Sequence, residues 1–284
     1  MYAITGVTGH VGGAVAQELL ARGEAVRAVV RDPAKGRDWP RAEVADLGDR
    51  AALTAALRGC RGAFVMLPTD LAADDPDAYH RGLAASIAGA VEDSGVPHVA
   101  MLSSVGAELA EGTGPIRWLH HLENLLRETG TVLTAIRSPH FQEKVETVLD
   151  AATGAGVYPV FGESADEPTC MVATRDIGEV VARALTQPPA SSEVVDLDGH
   201  SYTERQVAEE LAAALGKTLQ VVTIPQPGWV GTMVDAGLPR PIAQELAGLY
   251  EAEQRHLLAP RGDRTVTCPT ELGETLRHVV KTIS

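Results

Sequence analysis

The sequence predicts an α/β protein: a doubly wound parallel sheet followed by a smaller C-terminal α/β lobe. Three observations predict it. Short apolar runs alternate with helix-length segments through the first half of the chain. Those runs are apolar nearly throughout, as strands covered by helices on both faces must be. The glycine-spaced stretch "ITGVTGHVGG" sits at the first strand-to-helix junction.

The elements follow in order. "YAIT" is a strand, "GGAVAQELLARG" a helix ending at Gly23, and "AVRAVVR" a second strand. "DRAALTAALRG" is the next helix and "GAFVML" the next strand. "DPDAYHRGLAASIAGAVEDSG" is a long helix with Pro76 at its start and Gly95 past its end, the asymmetry that capping favours. "HVAMLSS", "IRWLHHLENLLRETG" and "TVLTAIR" continue the strand–helix–strand period. Beyond Ser138 the pattern loosens. "GVYPVFG", "TCMVAT", "SEVVDLDG" and "TLQVVTIP" read as strands, and "RDIGEVVARALTQP" as a helix. Thr203 and Gln206 form a capping pair before "VAEELAAALGK", and Pro239 to Leu258 reads as helical. Residues 1–150, with 170–198 returning to them, are assigned to the nucleotide-binding domain. Residues 151–169 and 199–284 are assigned to a lobe closing over the carboxyl ends of the strands, where α/β folds bind ligands. "QPPASS", Gln187 to Ser192, is the most linker-like connection.

Composition narrows the function. With 24 Lys+Arg against 38 Asp+Glu, the net charge of −14 argues against a general affinity for nucleic acid or anionic membranes. The 3 cysteines stand far apart, which predicts neither a disulfide framework nor a zinc site and points to a reducing cytoplasm. No apolar run approaches the roughly 20 residues that span a bilayer. The acidic loop "DLAADDPD" reads as a solvated helix start, and no metal site is expected.

Gly6, Gly9 and Gly12 are spaced GxxGxxG between the first strand and helix. Gly6 allows a tight turn, Gly9 lets backbone approach a diphosphate, and Gly12 lets the helix pack close to the strand. The helix N-terminus offers free N–H donors to the anion. Thr8, His10 and Val11 complete this loop as candidate cofactor contacts. The second strand ends "VVRDPAKG". An acidic residue at this tip would hold the ribose hydroxyls of NAD, whereas Arg31, with Lys35 after it, accommodates a 2′-phosphate and favours NADP(H). Asp32 either caps the turn or faces solvent.

Several segments carry a family resemblance: "TGVTGHVG", "VRAVVRDPAK", "VADLGD", "EDSGVPHVAMLSS", "LENLLRETGTVLTAIRSPHFQE", "VATRDIGEVVARAL" and "SYTERQVAEELAAALGK". The chain resembles the NmrA-like group of atypical short-chain dehydrogenases/reductases, which includes the type 2 quinone oxidoreductases. The resemblance implies a Rossmann-type fold in which Asp46 and Leu47 flank the adenine and Met66, Leu67 and Pro68 run beside the ribose. It places Pro139, His140 and Phe141 near the nicotinamide. "SPHFQEK" departs from the commoner pattern at Glu143 and Lys144.

Short-chain reductases use a serine, a tyrosine and a lysine four residues after it. Ser103 and Ser104 end "VAMLSS" in the place of the family serine. The same comparison puts the tyrosine position at Pro115 and the lysine position at Leu119, so the dyad is absent. Ile116, Leu119, Leu122 and Leu126 form a buried stripe on this helix. His120 and His121 point about 100° apart around it, and an imidazole titrates near neutrality. Ser103 and His120 are therefore the candidate catalytic residues; the bland alternative is that the histidines hydrogen-bond to backbone or face water. Tyr79 and His80 read as packing or surface residues. Tyr158, Trp229 and Met233 form either an apolar substrate wall or a second core. Two functions follow. One is an NADPH-dependent oxidoreductase passing hydride to a small apolar acceptor, such as a quinone or aromatic carbonyl, in a cleft between the lobes. The other is a non-catalytic NADP(H)-sensing regulator that binds a partner protein.

Overall fold

In the computed structural model, which describes residues 1–283, the first half alternates as expected. Its elements are β1 (Tyr2–Thr5), α1 (His10–Ala21), β2 (Val26–Val30), β3 (Ala42–Val44), α2 (Arg50–Leu57), β4 (Gly62–Val65), α3 (Pro76–Ser94), β5 (His98–Ser104), α4 (Ile116–Glu128) and β6 (Val132–Ser138). The second half adds β7 (His140–Phe141), β8 (Val157–Phe161), β9 (Pro168–Val172), α5 (Thr174–Thr186), β10 (Glu193–Asp198), β11 (His200–Thr203) and α6 (Glu204–Leu215). β12 (Gln220–Ile224), α7 (Trp229–Asp235), α8 (Arg240–Gln254), β13 (Arg264–Thr267) and α9 (Leu272–Ile283) complete it.

Among the described residues the main sheet has 8 strands in the order β13-β10-β6-β5-β4-β1-β2-β3. Every pairing in it is parallel. The order reverses between β1 and β4, and a crevice opens at their carboxyl ends, the binding position of open α/β sheets. Leu53, Ile87, Trp118 and Leu122 from α2, α3 and α4 cover one face. Val15, Leu19, Ile177 and Val181 from α1 and α5 cover the other. β1 and β4 are buried along their whole length, which explains their apolar sequences. The expected caps are present: Gly95 ends α3 at φ 64°, and Thr203 with Gln206 forms a complete capping box on α6. No helix of the described residues is long and apolar enough to cross a membrane.

The second half departs from expectation in two places. β13 lies within 199–284, assigned by sequence to the lobe, yet it pairs with β10 as the edge of the main sheet. Its sequence "RTVT" is short and mostly exposed, so no apolar run marked it. Conversely, β9 joins β7 and β11 in a three-stranded sheet, so the return to the main sheet starts with α5 rather than at residue 170. Tyr158, Leu211 and Leu276 form the core of the lobe, and Trp229 and Met233 pack with Ala243 and Ala247 in a smaller cluster. All of Tyr158, Trp229 and Met233 are buried, so they are core rather than a substrate wall.

Helix α8 straps the lobe onto the sheet. Arg117, at the start of α4, pairs with Glu245 of α8 and also bonds Asp77 at 2.9 Å. Gly114 sits at φ +55°, and a Cβ there would lie 2.2 Å from the Glu245 carbonyl oxygen. Gly114→Ala combines a left-handed backbone with a backbone clash, so a loss of about 2–4 kcal/mol is expected from urea unfolding.

His98 begins β5 in the interior, with Nε2 3.0 Å from Thr134 Oγ1 and no partner for Nδ1. Burial pushes this imidazole down to about 4. An unfolded imidazole titrates near ~6.5, so between these values the unfolded chain binds more protons. The stability this group confers is present above that upper value and is lost as pH falls toward the lower one. Urea midpoints should therefore drop between pH 7 and 5, and His98→Gln should flatten the decline. An unchanged slope in the variant would assign the acid sensitivity to other groups.

Candidate nucleotide and acceptor site

Gly6 leaves β1 at φ +66°, a conformation open to glycine without a side-chain penalty. A Cβ on Gly6 would lie 2.5 Å from Met66 Sδ, so the turn after β1 packs directly on the end of β4. A Cβ on Gly12 would meet Gly6 O at 2.3 Å and Thr5 O at 2.6 Å. That contact sets α1 close against the strand. Gly9 is the N-cap of α1, which has no side-chain cap and no acidic residue in its first turn. Its leading N–H groups are thus open to an anion. Val11 is buried in the core and can contribute only backbone, whereas Thr8 and His10 are exposed. His10 Nε2 lies 2.8 Å from Glu146 Oε2, joining the loop to the segment after β7.

At the tip of β2, Arg31 and Lys35 are exposed and their side chains have no partner among the described residues. Asp32 accepts a hydrogen bond from Ala34 N at 2.8 Å and caps the 3-10 turn Pro33–Gly36. Its carboxylate is turned to its own backbone, which leaves the two cations free. Asp46 accepts from Gly48 N at 2.8 Å, and Leu47 packs half-buried against the sheet. Together these groups fit a dinucleotide: free amides for a diphosphate and two unpaired cations one strand away.

Beside this loop lies a cavity of about 150 Å³. Met66, Leu67, Leu102, Leu119, Pro139 and Phe141 supply its apolar lining, with Ser103, Ser104 and Ser138 between them. Leu119 therefore stands in the cavity at the position where the resemblance puts a lysine. Pro68, the last residue of the expected ribose-side segment, is exposed beyond the lining.

The serines do not offer protons to this space. Ser103 Oγ donates to Glu123 Oε1 at 2.6 Å, while Ser104 and Ser138 donate to the Val105 and Pro139 carbonyls, each at 3.0 Å. Glu123 is buried on α4 and also accepts from Arg137 Nε at 3.0 Å, Arg137 Nη2 at 2.9 Å and Arg127 Nη2 at 2.7 Å. Burial alone would push this carboxyl up, but the bonds from Arg137 and Ser103 and the Arg137 charge hold it below its ordinary range. An ionised carboxylate only accepts, so the Ser103 proton points away from the cavity. Ser103 is thereby a positioned wall residue, a correction to its expected role as a donor to substrate.

His120 is also corrected. Its Nδ1 is 2.8 Å from the Ala107 carbonyl and its Nε2 is 2.9 Å from Asn124 Nδ2. The carbonyl accepts at Nδ1 and the amide donates toward Nε2, so both ring nitrogens are committed. It pins the loop after β5 to α4 and holds no proton for a substrate. His140 is turned toward Glu253 of α8, while its neighbours Pro139 and Phe141 line the cavity. His80 is fully buried and stacks on Trp118 at 3.9 Å, a packing role.

Sequence reasoning missed the carboxylate and arginine cluster behind the serine. The signal was available in "TAIRSP": a charged residue in an otherwise apolar central strand requires a buried partner.

These features define a dinucleotide-binding α/β protein with a small, mostly apolar cavity beside the glycine turn. Residues 6–188 match the family model described as NAD(P)H-binding, and the chain belongs to that family, in its NmrA-like, atypical short-chain dehydrogenase/reductase branch. It is 28% identical over 257 residues to quinone oxidoreductase 2 of Escherichia coli (strain K12), covering 87% of this chain and 86% of that one. It is 27% identical to an NAD(P)H azoreductase of Xenophilus azovorans over 88% and 86% of the two chains. Among solved structures it is similar to the NADPH complex of an Escherichia coli quinone oxidoreductase, with a TM-score of 0.75, 24% identity and coverage of 98% and 99%. The NADP(H) complex of Citrobacter sp. triphenylmethane reductase gives a TM-score of 0.80 at 22% identity, with the same coverage.

If Arg31 grips a 2′-phosphate, fluorescence titration should show tighter binding of NADPH than of NADH. Arg31→Ala should erase most of the preference, a loss of about 1.5–3 kcal/mol for a charge-assisted contact, with NADH affinity little changed. Equal affinities in the wild-type protein would reject the assignment.

Proposed function

We propose that the chain is an NADPH-dependent reductase of flat, conjugated, apolar acceptors such as quinones, azo compounds or aromatic carbonyls. The observation that carries this reading is the cavity floor: it adjoins the glycine turn, is mostly apolar, and contains no titratable side chain. The bound cofactor supplies hydride, and the protein's task is to hold the two partners together. The amides opening α1 seat the diphosphate, and Arg31 with Lys35 engages the 2′-phosphate. Met66, Leu102, Leu119 and Phe141 present a water-excluding surface suited to a flat ring. A floor with no acid disfavours simple ketones, whose developing alkoxide needs a donor at the reacting carbon. Conjugated acceptors spread that charge away from it. The names of the quinone oxidoreductase and azoreductase relatives support this choice.

The test follows loss of reduced-nicotinamide absorbance with a panel of quinones, azo dyes and unconjugated ketones. Conjugated acceptors should exceed ketones in kcat/KM by about 10²-fold or more, the factor a positioned acid ordinarily contributes. The reverse order rejects the reading. Tight NADPH binding with no turnover across the panel would favour the non-catalytic nucleotide-sensing regulator.

A further inference from the structure

The cavity beside the glycine turn has a polar strip within its apolar lining. Ser103, Ser104 and Ser138 stand there among Met66, Leu102, Leu119 and Phe141. A serine hydroxyl carries one proton and two lone pairs. All three protons are committed inside the protein: to Glu123 Oε1 at 2.6 Å, and to the Val105 and Pro139 carbonyls at 3.0 Å each. Carboxylate and carbonyl oxygens only accept, so the direction of every one of these bonds is fixed. No donor among the described residues reaches the serine oxygens in return. Their lone pairs are left over, in a lining with no side-chain N–H and no other hydroxyl.

Ser103 is the most firmly held of the three. Arg137 and Arg127 supply Glu123 with N–H donors, and a charge-assisted bond from the hydroxyl to such a carboxylate is stronger than one between neutral groups. Turning the Ser103 proton into the cavity would forfeit that bond.

We propose that this serine face is a specificity element: it accepts a hydrogen bond from an N–H or O–H carried by the ring that enters the cavity. The proposal rests on the reading of the cavity as the acceptor site. A ring without a donor leaves desolvated lone pairs unpaired, which a site built for hydrogen bonding penalises. A quinone or carbonyl oxygen is repelled there, and the negative charge delivered to it by hydride is repelled more strongly. The ring is therefore oriented with its donor substituent toward the serines and its reducible bond away from them, over the apolar lining. Quinones and azo compounds that carry a phenolic hydroxyl or a primary amine fit this face; their fluoro and dialkylamino analogues do not. The nicotinamide ring brings the same chemistry through its carboxamide N–H.

Titration calorimetry with 2-naphthol and 2-fluoronaphthalene reads the face without turnover, because fluorine is close to hydroxyl in size and cannot donate. Cofactor-free wild-type protein should bind 2-naphthol more tightly. The ratio of the two affinities should fall by about fivefold in at least one of Ser103→Ala, Ser104→Ala and Ser138→Ala, the loss of one net hydrogen bond. Ser104→Ala and Ser138→Ala keep the test open if Ser103→Ala, which also takes a donor from Glu123, fails to fold. Repeating the titrations with NADP⁺ bound separates the two sources of donor. A preference that survives assigns it to the acceptor. A preference that collapses, together with weaker binding of the 3-acetylpyridine analogue of NADP⁺, whose methyl replaces the carboxamide amino group, assigns it to the cofactor. Equal or reversed affinities in the wild type, or a ratio unchanged in all three variants, overturns the proposal and leaves quinone reduction standing. A protein that keeps the preference but reduces no acceptor rejects the reductase reading alone.

Discussion

The Glu123 carboxylate fixes the geometry on which the acceptor cavity depends. It collects hydrogen bonds from β5 through Ser103, from β6 through Arg137 and from its own helix through Arg127. Two strands and a helix are thereby locked in register at the sheet edge where the cavity opens. Arg137 extends the lock to Glu108 at 2.9 Å, in the loop after β5. An isolated buried charge would cost several kcal/mol, so the cluster is stable only with all its members present. Its cost in side chains is visible in the site. Ser103 and Arg137 stand where they could have faced a ligand, and both are turned inward to serve the carboxylate.

That constraint leaves the floor of the cavity without a proton donor at the place where the sequence resemblance puts one. With Leu119 filling the expected lysine position and Pro115 capping α4 at the tyrosine position, the floor is a hydrophobic surface. His120, one residue further on, is consumed in tying the loop to the helix. Helix α8 is fastened near both ends, through Glu245 to Arg117 and Glu253 against His140.

The sheet and its switch point were legible because they rest on local rules. Apolar strands, helix ends at Pro76, Gly95 and Thr203, and the glycine turn each follow from a few neighbouring residues. The glycine spacing also marked the turn into α1, whose leading amides carry no side-chain cap. The cavity side was harder to read. Whether Ser103 gives its proton to substrate depends on Glu123, 20 residues away, and the orientation of His140 depends on Glu253, more than a hundred residues further along. Neither distance leaves a periodic trace. β13 escaped for a related reason: its pairing with β10 is set by the backbone ladder at an exposed edge, without the apolar pattern that identifies buried strands.

Charge distribution ties the two ends of the site together. A chain of net charge −14 repels an anionic dinucleotide at long range, although salt confines that repulsion to roughly 10 Å. Attraction therefore has to be local, and the groups that could supply it are the open amides at the start of α1 and the Arg31 and Lys35 side chains, which have no acidic partner among the described residues. Asp32 is the test of this arrangement, because an acidic residue beside Arg31 would ordinarily cancel it. By spending its carboxylate on the Ala34 amide, Asp32 shapes the turn and leaves the guanidinium's charge uncompensated. The acceptor end needs no such provision. For the conjugated acceptor proposed above the acidic field would matter little, and burial against Met66, Leu102 and Phe141 would contribute about 25 cal/mol for each Å² of apolar surface removed from water. Under the proposed function the site would be polar at the nucleotide end and apolar at the other, the division expected of a reductase selective for its cofactor and tolerant of its acceptor.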